Sequence, residues 1–411
     1  MKTAHVPHWC CRLTTALLCA ALPCLVMPAS AAPLDWLGVT GIATGPGEKG
    51  PWRQNDSRYR YVDDPAVLLD ERGNAVVAWV DQARKDVFVQ RLAADGRRQS
   101  AATVNVSRSP QTFSWVPRMA RSPDAPDQLF MVWQEIIFSG GSHGGDILFA
   151  RSGDRGATFS APVNLSHSVG GDGKGRINRD IWHNGSFDIA AGPNGVVHVV
   201  WTEYDGPLWH SRSLDGGLSF SAPRRIERGA DARPARAPSL ALDAAGTLHV
   251  AWTSGEDDGA DIQLARSTDG GQTFGAPLAV APSDRYADAP RLAAGPDGVL
   301  HLVYAYSDSG PFARFALRYT RSRDGGRSFE TPREIFSPLP AGIDSVRYPA
   351  VAIDGAGRLY VVGELYPRHT AMRAGSASRS RLMRDSVFPP RRWCRTAPAR
   401  TARATAATRG C

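Results

Sequence analysis

Short runs in which apolar and polar positions alternate recur along this chain at nearly constant spacing. Six of them are Val76-Val-Ala-Trp79, Phe130-Met-Val-Trp133, Val197-His-Val-Val-Trp201, Leu248-His-Val-Ala-Trp252, Leu300-His-Leu-Val-Tyr304 and Leu359-Tyr-Val-Val362. Alternation with β-branched members predicts half-buried strands. A turn precedes most of them: Asp70-Glu-Arg-Gly73, Gly192-Pro-Asn-Gly195, Asp243-Ala-Ala-Gly246, Gly295-Pro-Asp-Gly298 and Asp354-Gly-Ala-Gly357. Before each turn a further strand is expected. Pro65, Pro117, Pro238, Pro290 or Pro349 opens it, and Phe187 takes that place in the third unit. The body shows no helical periodicity.

A second motif keeps the same phase. It reads Ser152-Gly-Asp154-Arg-Gly156-Ala-Thr-Phe159, Ser213-Leu-Asp215-Gly-Gly217-Leu-Ser-Phe220, Ser267-Thr-Asp269-Gly-Gly271-Gln-Thr-Phe274 and Ser322-Arg-Asp324-Gly-Gly326-Arg-Ser-Phe329. Its aspartates lie 61, 54 and 55 residues apart. Glycine tolerates the positive φ of a tight turn, and the aspartate accepts hydrogen bonds from turn N–H groups. The first unit carries only a degenerate copy around Asp95-Gly96. One unit is therefore strand, turn, strand, loop, strand, octapeptide, strand. Six units predict an all-β chain folded as a six-bladed β-propeller. The last blade is expected to be incomplete.

The octapeptide resembles the Asp box, or bacterial neuraminidase repeat, of the sialidase superfamily, and the resemblance covers the chain between about Tyr61 and Pro367. It implies that Asp154, Asp215, Asp269 and Asp324 are structural, on turns joining the two outer strands of a blade and away from any site. It also implies a site template of three arginines for a substrate carboxylate, an aspartate acid/base, and a tyrosine nucleophile paired with a glutamate. The first arginine belongs in an Arg-Ile-Pro sequence, where this chain has Asp63-Asp64-Pro65. The place of the acid/base loop holds only the short Asp81-Gln-Ala-Arg-Lys85. Arg347-Tyr348-Pro349 resembles the tyrosine-bearing strand, and Arg236-Ala-Pro238 repeats the Arg-x-Pro pattern in another unit. The expectation is a sialidase-like chain without a complete sialidase site.

Repeat phase places the start of each first strand and the end of each second strand on one face, opposite the octapeptides. Two residues past the last residue of the second strands stand Asp81, Glu135, Glu203, Ser254, Tyr306 and Glu364. Around the first-strand prolines stand Asp63, Asp64, Arg236, Arg347 and Tyr348, then Arg118, Asp188 and Arg291. Such a polar funnel suits arginine clamping of a carboxylate or sulfate, and paired carboxylates for glycoside chemistry. The candidates are Tyr348, Glu203, Glu364 and Asp81 for catalysis. For ligand binding they are Arg118, Arg236, Arg291, Arg347, Glu135 and Tyr306. The alternative is that these charges solvate the mouth and pair with one another.

Charge and cysteine usage narrow the function classes. Residues 1–31 read as a cleaved signal peptide: Lys2 and Arg12, an apolar run from Leu13 to Met27, then Ala29-Ser-Ala31. The run is too short to be a membrane anchor. Cys10, Cys11, Cys19 and Cys24 lie in that segment, and Cys394 and Cys411 lie near the C-terminus. Residues 32–367, the predicted propeller, thus have neither a disulfide framework nor a cysteine metal site. Residues 368–411 hold eleven arginines, no lysine and one acid, Asp385, a sum of 11 − 1 = +10. The whole chain carries +8, so the remainder sums to −2, and the basic pI is no sign of nucleic-acid binding. This tail reads either as a frameshifted C-terminus or as a basic disordered segment. The segment Leu34 to Thr44 is a candidate for one outer strand. No metal or cofactor is expected. The functional expectation is an exported monomer that binds glycans or other small anionic ligands. An exo-α-sialidase or other glycoside hydrolase, and a protein-interaction scaffold, are the alternatives.

Overall fold

Every predicted strand–turn–strand unit becomes an antiparallel meander. The computed structural model describes residues 39–49, 59–109, 112–137, 144–166, 186–202, 207–226, 233–255, 259–282, 284–311, 313–367 and 377–383. A small hairpin comes first, β1 (Glu48–Lys49) with β2 (Tyr59–Arg60). The first sheet is β3 (Val62–Leu69), β4 (Ala75–Asp81), β5 (Asp86–Leu92) and β6 (Val104–Asn105). The second is β7 (Phe113–Arg121), β8 (Leu129–Ile137), β9 (Gly144–Ser152) and β10 (Val163–Asn164). The third is β11 (Phe187–Ala191), β12 (Val197–Thr202), β13 (Leu208–Ser213) and β14 (Arg224–Arg225). The fourth is β15 (Ala235–Leu242), β16 (Leu248–Ser254), β17 (Asp261–Ser267) and β18 (Leu278–Ala279). The fifth is β19 (Tyr286–Ala294), β20 (Leu300–Ser307), β21 (Ala316–Ser322) and β22 (Arg333–Glu334). The sixth has β23 (Ile343–Ile353), β24 (Leu359–Pro367) and β25 (Ala377–Met383).

Two features depart from the sequence expectations. β25 lies inside the arginine-rich segment that reads as irregular, and it pairs with β24 from Leu359↔Met383 to Leu365↔Ala377. Any residue with a backbone N–H can join such a ladder, so the side-chain pattern gives little sign of it. The sixth sheet thus has its third strand, and no fourth among the described residues. Residues 39–44 form no strand; Gly41 and Ile42 instead accept hydrogen bonds from Arg98 Nη2 at 3.2 and 2.7 Å.

The aromatic that closes the second strand in each of the first five sheets is buried in the packing. Trp133, Trp252 and Tyr304 are fully buried, and Trp201 nearly so. Five apolar clusters join the sheets in chain order, first to second and so on to fifth and sixth. Among the described residues none joins the sixth to the first, and on β3 both Val67 and Leu69 are about 60% exposed.

The four octapeptides share one hydrogen-bond scheme. In the second sheet Ser152 Oγ accepts Gly156 N–H at 2.8 Å and donates to Asp154 Oδ1 at 2.8 Å. Asp154 also takes Thr158 N–H and Oγ1 at 2.8 and 2.6 Å. The copies at Asp215, Asp269 and Asp324 repeat these contacts. Donors held this way keep the carboxylate charged, and Asp215 is pulled down to about 2, chiefly by Ser219. The second glycine of each turn leans on the preceding sheet. A Cβ on Gly271 would sit 2.4 Å from His210 Cε1, and one on Gly217 would sit 2.5 Å from Phe149 Cζ.

Candidate functional site

The first strands of the sheets share a local irregularity that sets the site. In five of them the ladder shifts register at the proline. The residue before that proline adopts a left-handed backbone: Asp64, Val116, Ala237, Ala289 and Tyr348 all have φ between 47 and 51°. A residue before proline ordinarily prefers extended backbone, and a β-branched residue such as Val116 rarely takes positive φ. Such a bulge leaves extra residues unpaired and re-aims their side chains. The third sheet lacks the proline, and β11 pairs through Asp188 without a shift.

These strand ends bring charges from distant parts of the chain into one another's field. Asp63 Oδ2 accepts Gln82 Nε2 at 2.7 Å, and its other oxygen is buried without a hydrogen-bond partner. Burial, followed by the charge of Asp64, pushes the Asp63 carboxyl up to about 7. Asp64 is raised by burial, lowered by Arg118 of the second sheet and by the Val116 N–H, and raised again by Glu364 of the sixth. Arg291 of the fifth sheet is depressed to about 10 by desolvation, then by Arg118, with Asp188 of the third sheet opposing. Neither Arg118 nor Arg291 forms an ion pair among the described residues; each Nη1 reaches only the neighbouring proline carbonyl, at 3.4 and 3.5 Å.

The other arginines are committed. Arg236 donates to Asp288 Oδ1 at 3.2 Å and to the Tyr286 hydroxyl at 2.7 Å. Arg347 donates to Ala313 O at 2.8 Å, lies 4.0 Å from the Phe315 ring centroid, and keeps a buried Nε without a partner. Its neighbour Tyr348 is 59% exposed. Desolvation raises the Tyr348 hydroxyl, Arg347 opposes, and Asp288 and Glu364 raise it further. Glu364 accepts a hydrogen bond from Tyr366 at 2.9 Å, so its nearest phenol is not Tyr348.

The remaining candidates sit apart from this cluster. Asp81 caps the β4–β5 turn through Ala83 N–H and Arg84 N–H at 3.0 and 3.2 Å. Glu135 is buried, accepting hydrogen bonds from Thr112, from Ser114 at 2.8 Å and from Trp133 Nε1 at 3.1 Å. Burial pushes it up to about 7 against those donors. Tyr306 donates to Asp308 and lies under the Arg318 guanidinium, 3.4 Å away. Glu203 lies outside the described residues. Sequence reasoning missed Asp288, which occupies the same place, two before a proline, as Asp63, Arg236 and Arg347. That column is the signal that identifies it.

Neither a protein-family model nor a curated protein matches the chain. Solved structures do. A protein of unknown function from Dyadobacter fermentans superposes with a TM-score of 0.54 at 16% identity, over 75% of this chain and 91% of that one. The leech intramolecular trans-sialidase gives 0.51 at 10% identity, covering 75% and 65%. The NanB sialidase of Streptococcus pneumoniae gives 0.50 at 9% identity, covering 76% and 66%. The fold is sialidase-like. This chain spans about two thirds of the length of those two sialidases, and at such low identity the likeness is one of fold alone.

Proposed function

We propose that the protein binds anionic glycans, or similar carboxylate- or sulfate-bearing small ligands, at the funnel of a six-bladed propeller. The observation that carries this reading is the pair Arg118 and Arg291. They come from the second and fifth sheets, they repel one another, and no carboxylate is ion-paired with either among the described residues. Arg236 shows the contrasting case of an arginine neutralised by its own structure. Guanidinium groups without an ion pair at such strand ends favour a bound anion. The six consecutive meanders support the blade count, and the influence of Glu364 on Asp64 supports approach of the last sheet to the first. Residues 1–31 act as an export signal in this proposal, and 32–367 as the propeller.

Titration calorimetry with sialyllactose and with lactose tests it. Sialyllactose is expected to bind and lactose not. Arg118→Ala and Arg291→Ala should each weaken binding by about tenfold or more, the worth of one charge-assisted hydrogen bond. Equal affinity for lactose, or no loss in either variant, refutes the proposal.

A second reading, an exo-acting sialidase or other glycoside hydrolase, rests on the exposed Tyr348 beside Arg347 in the same funnel. A raised hydroxyl is poorly suited to nucleophilic attack unless a base activates it, and Glu364 is engaged by Tyr366. Hydrolysis of a fluorogenic sialoside by the parent and by Tyr348→Phe decides the point. Equal rates exclude the tyrosine as nucleophile.

A further inference from the structure

A cleft lies between the first and second sheets, away from the first-strand prolines. It sits at the far end of β3, by the Asp70 turn, and beside the octapeptide turn that follows β9. It is partly open to solvent and encloses about 60 Å³, room for the head group of a small anion with the rest of the ligand lying along its mouth. Arg91, Arg121 and Arg155 line it together with Leu69, Pro126 and Leu129.

The charges in this cleft do not cancel. Asp70 is the lining carboxylate, and its own turn uses both of its oxygens. Oδ1 accepts Arg72 N–H and Asn74 N–H at 2.8 Å each, and Oδ2 accepts Asn74 Nδ2 at 2.8 Å. Arg155 is held by Asp127 at 2.5 Å. Arg121 Nη1 is shielded from solvent and has no hydrogen-bond partner among the described residues. No ion pair forms at Arg91 among the described residues. Three guanidinium groups against Asp70 and Asp127 leave 3 − 2 = +1 at the site. A buried donor without an acceptor is costly, and a ligand oxygen relieves it.

We propose that this cleft binds a small amphipathic organic anion. Arg121 and Arg91 take its carboxylate or sulfate head, and Leu69, Pro126 and Leu129 cover a short apolar body. The site is independent of the funnel, because its arginines come from different strand ends on the opposite face.

Calorimetric titration of the full chain with hexanoate, hexyl sulfate and hexanol tests the proposal. The two anions should bind saturably, more weakly as salt rises, and hexanol should not bind. Arg121→Gln should weaken the anions by about tenfold or more. Leu69→Glu adds a negative charge at a 61% exposed position and should do the same without touching the core. It decides the matter if Arg121→Gln fails to fold by circular dichroism. Arg225→Gln, at an exposed position on β14, should bind as the parent does. Absence of anion binding, equal binding of hexanol, retention in Leu69→Glu, or loss in Arg225→Gln each overturns the assignment.

Discussion

Gly217→Ala separates two costs that the octapeptide turns combine. Gly217 has φ of +76°, and a Cβ there would meet Phe149 Cζ at 2.5 Å and Cε1 at 2.8 Å. Phe149 cannot retreat easily: it is fully buried, edge-on to Phe220 at 4.7 Å and stacked on Phe130 at 6.2 Å. Placing an L-residue in left-handed backbone costs about 1–2 kcal/mol. Forcing a methyl into a packed core costs a further 1–3 kcal/mol or so. The sum is about 2–5 kcal/mol. Gly246→Ala is the control, with φ of +79° and nothing within 4 Å of the added Cβ, so only the backbone cost applies. Urea unfolding followed by circular dichroism reads both variants, with the slope checked for unchanged cooperativity. The expected difference between them is the packing cost alone. Equal destabilisation would refute the claim that this glycine is needed for contact with the preceding sheet.

The same contacts support further expectations. Ser267→Ala leaves the buried Gly271 N–H without its 2.8 Å acceptor and should cost about 1–3 kcal/mol in the same assay. Glu135 is raised from 4.5 to about 7, so its contribution is fully favourable below pH 4.5 and declines as pH rises to 7. Glu135→Gln should flatten stability against pH over that window, and an unchanged slope contradicts the assignment. His198 and His210, joined at 3.0 Å, are lowered from 6.5 to about 4 and about 3, chiefly by burial. The unfolded chain takes up their protons first, so stability should fall as pH drops below 6.5. Nuclear magnetic resonance should show both rings neutral at pH 5 in the folded protein.

The repeat was legible because it depends on local chemistry. Proline, turn glycines, the closing aromatic and the octapeptide each demand a particular backbone or burial, and each recurs in phase. Trp133, Trp201, Trp252 and Tyr304 went where alternation places them. The candidate site was legible only as columns. Asp81, Glu135 and Glu364 share one column yet differ in fate, because the local turn, buried donors and Tyr366 claim them respectively. Sequence phase specifies the strand end but not the partner that folding brings to it. Proximity of Arg118 and Arg291 depends on how sheets three units apart face each other, which no local pattern encodes. The left-handed residues before proline were hidden for the opposite reason, since the local preference of that position is extended. Asp63 where an arginine was expected remains the clearest departure from the sialidase template, and its buried, unpartnered oxygen gives that departure a physical form.

The contact between each octapeptide turn and the sheet before it has a direction. Gly217 rests on the second sheet, Gly271 on the third and Gly326 on the fourth, never on a sheet still to come. A chain emerging from its N-terminus thus meets, for every new turn, a surface already built. Assembly becomes stepwise accretion, with each added unit guided by the one before it. The same one-way dependence lets a lineage lengthen or shorten such a chain by whole units at its trailing end, since no earlier octapeptide turn leans on a later unit among the described residues.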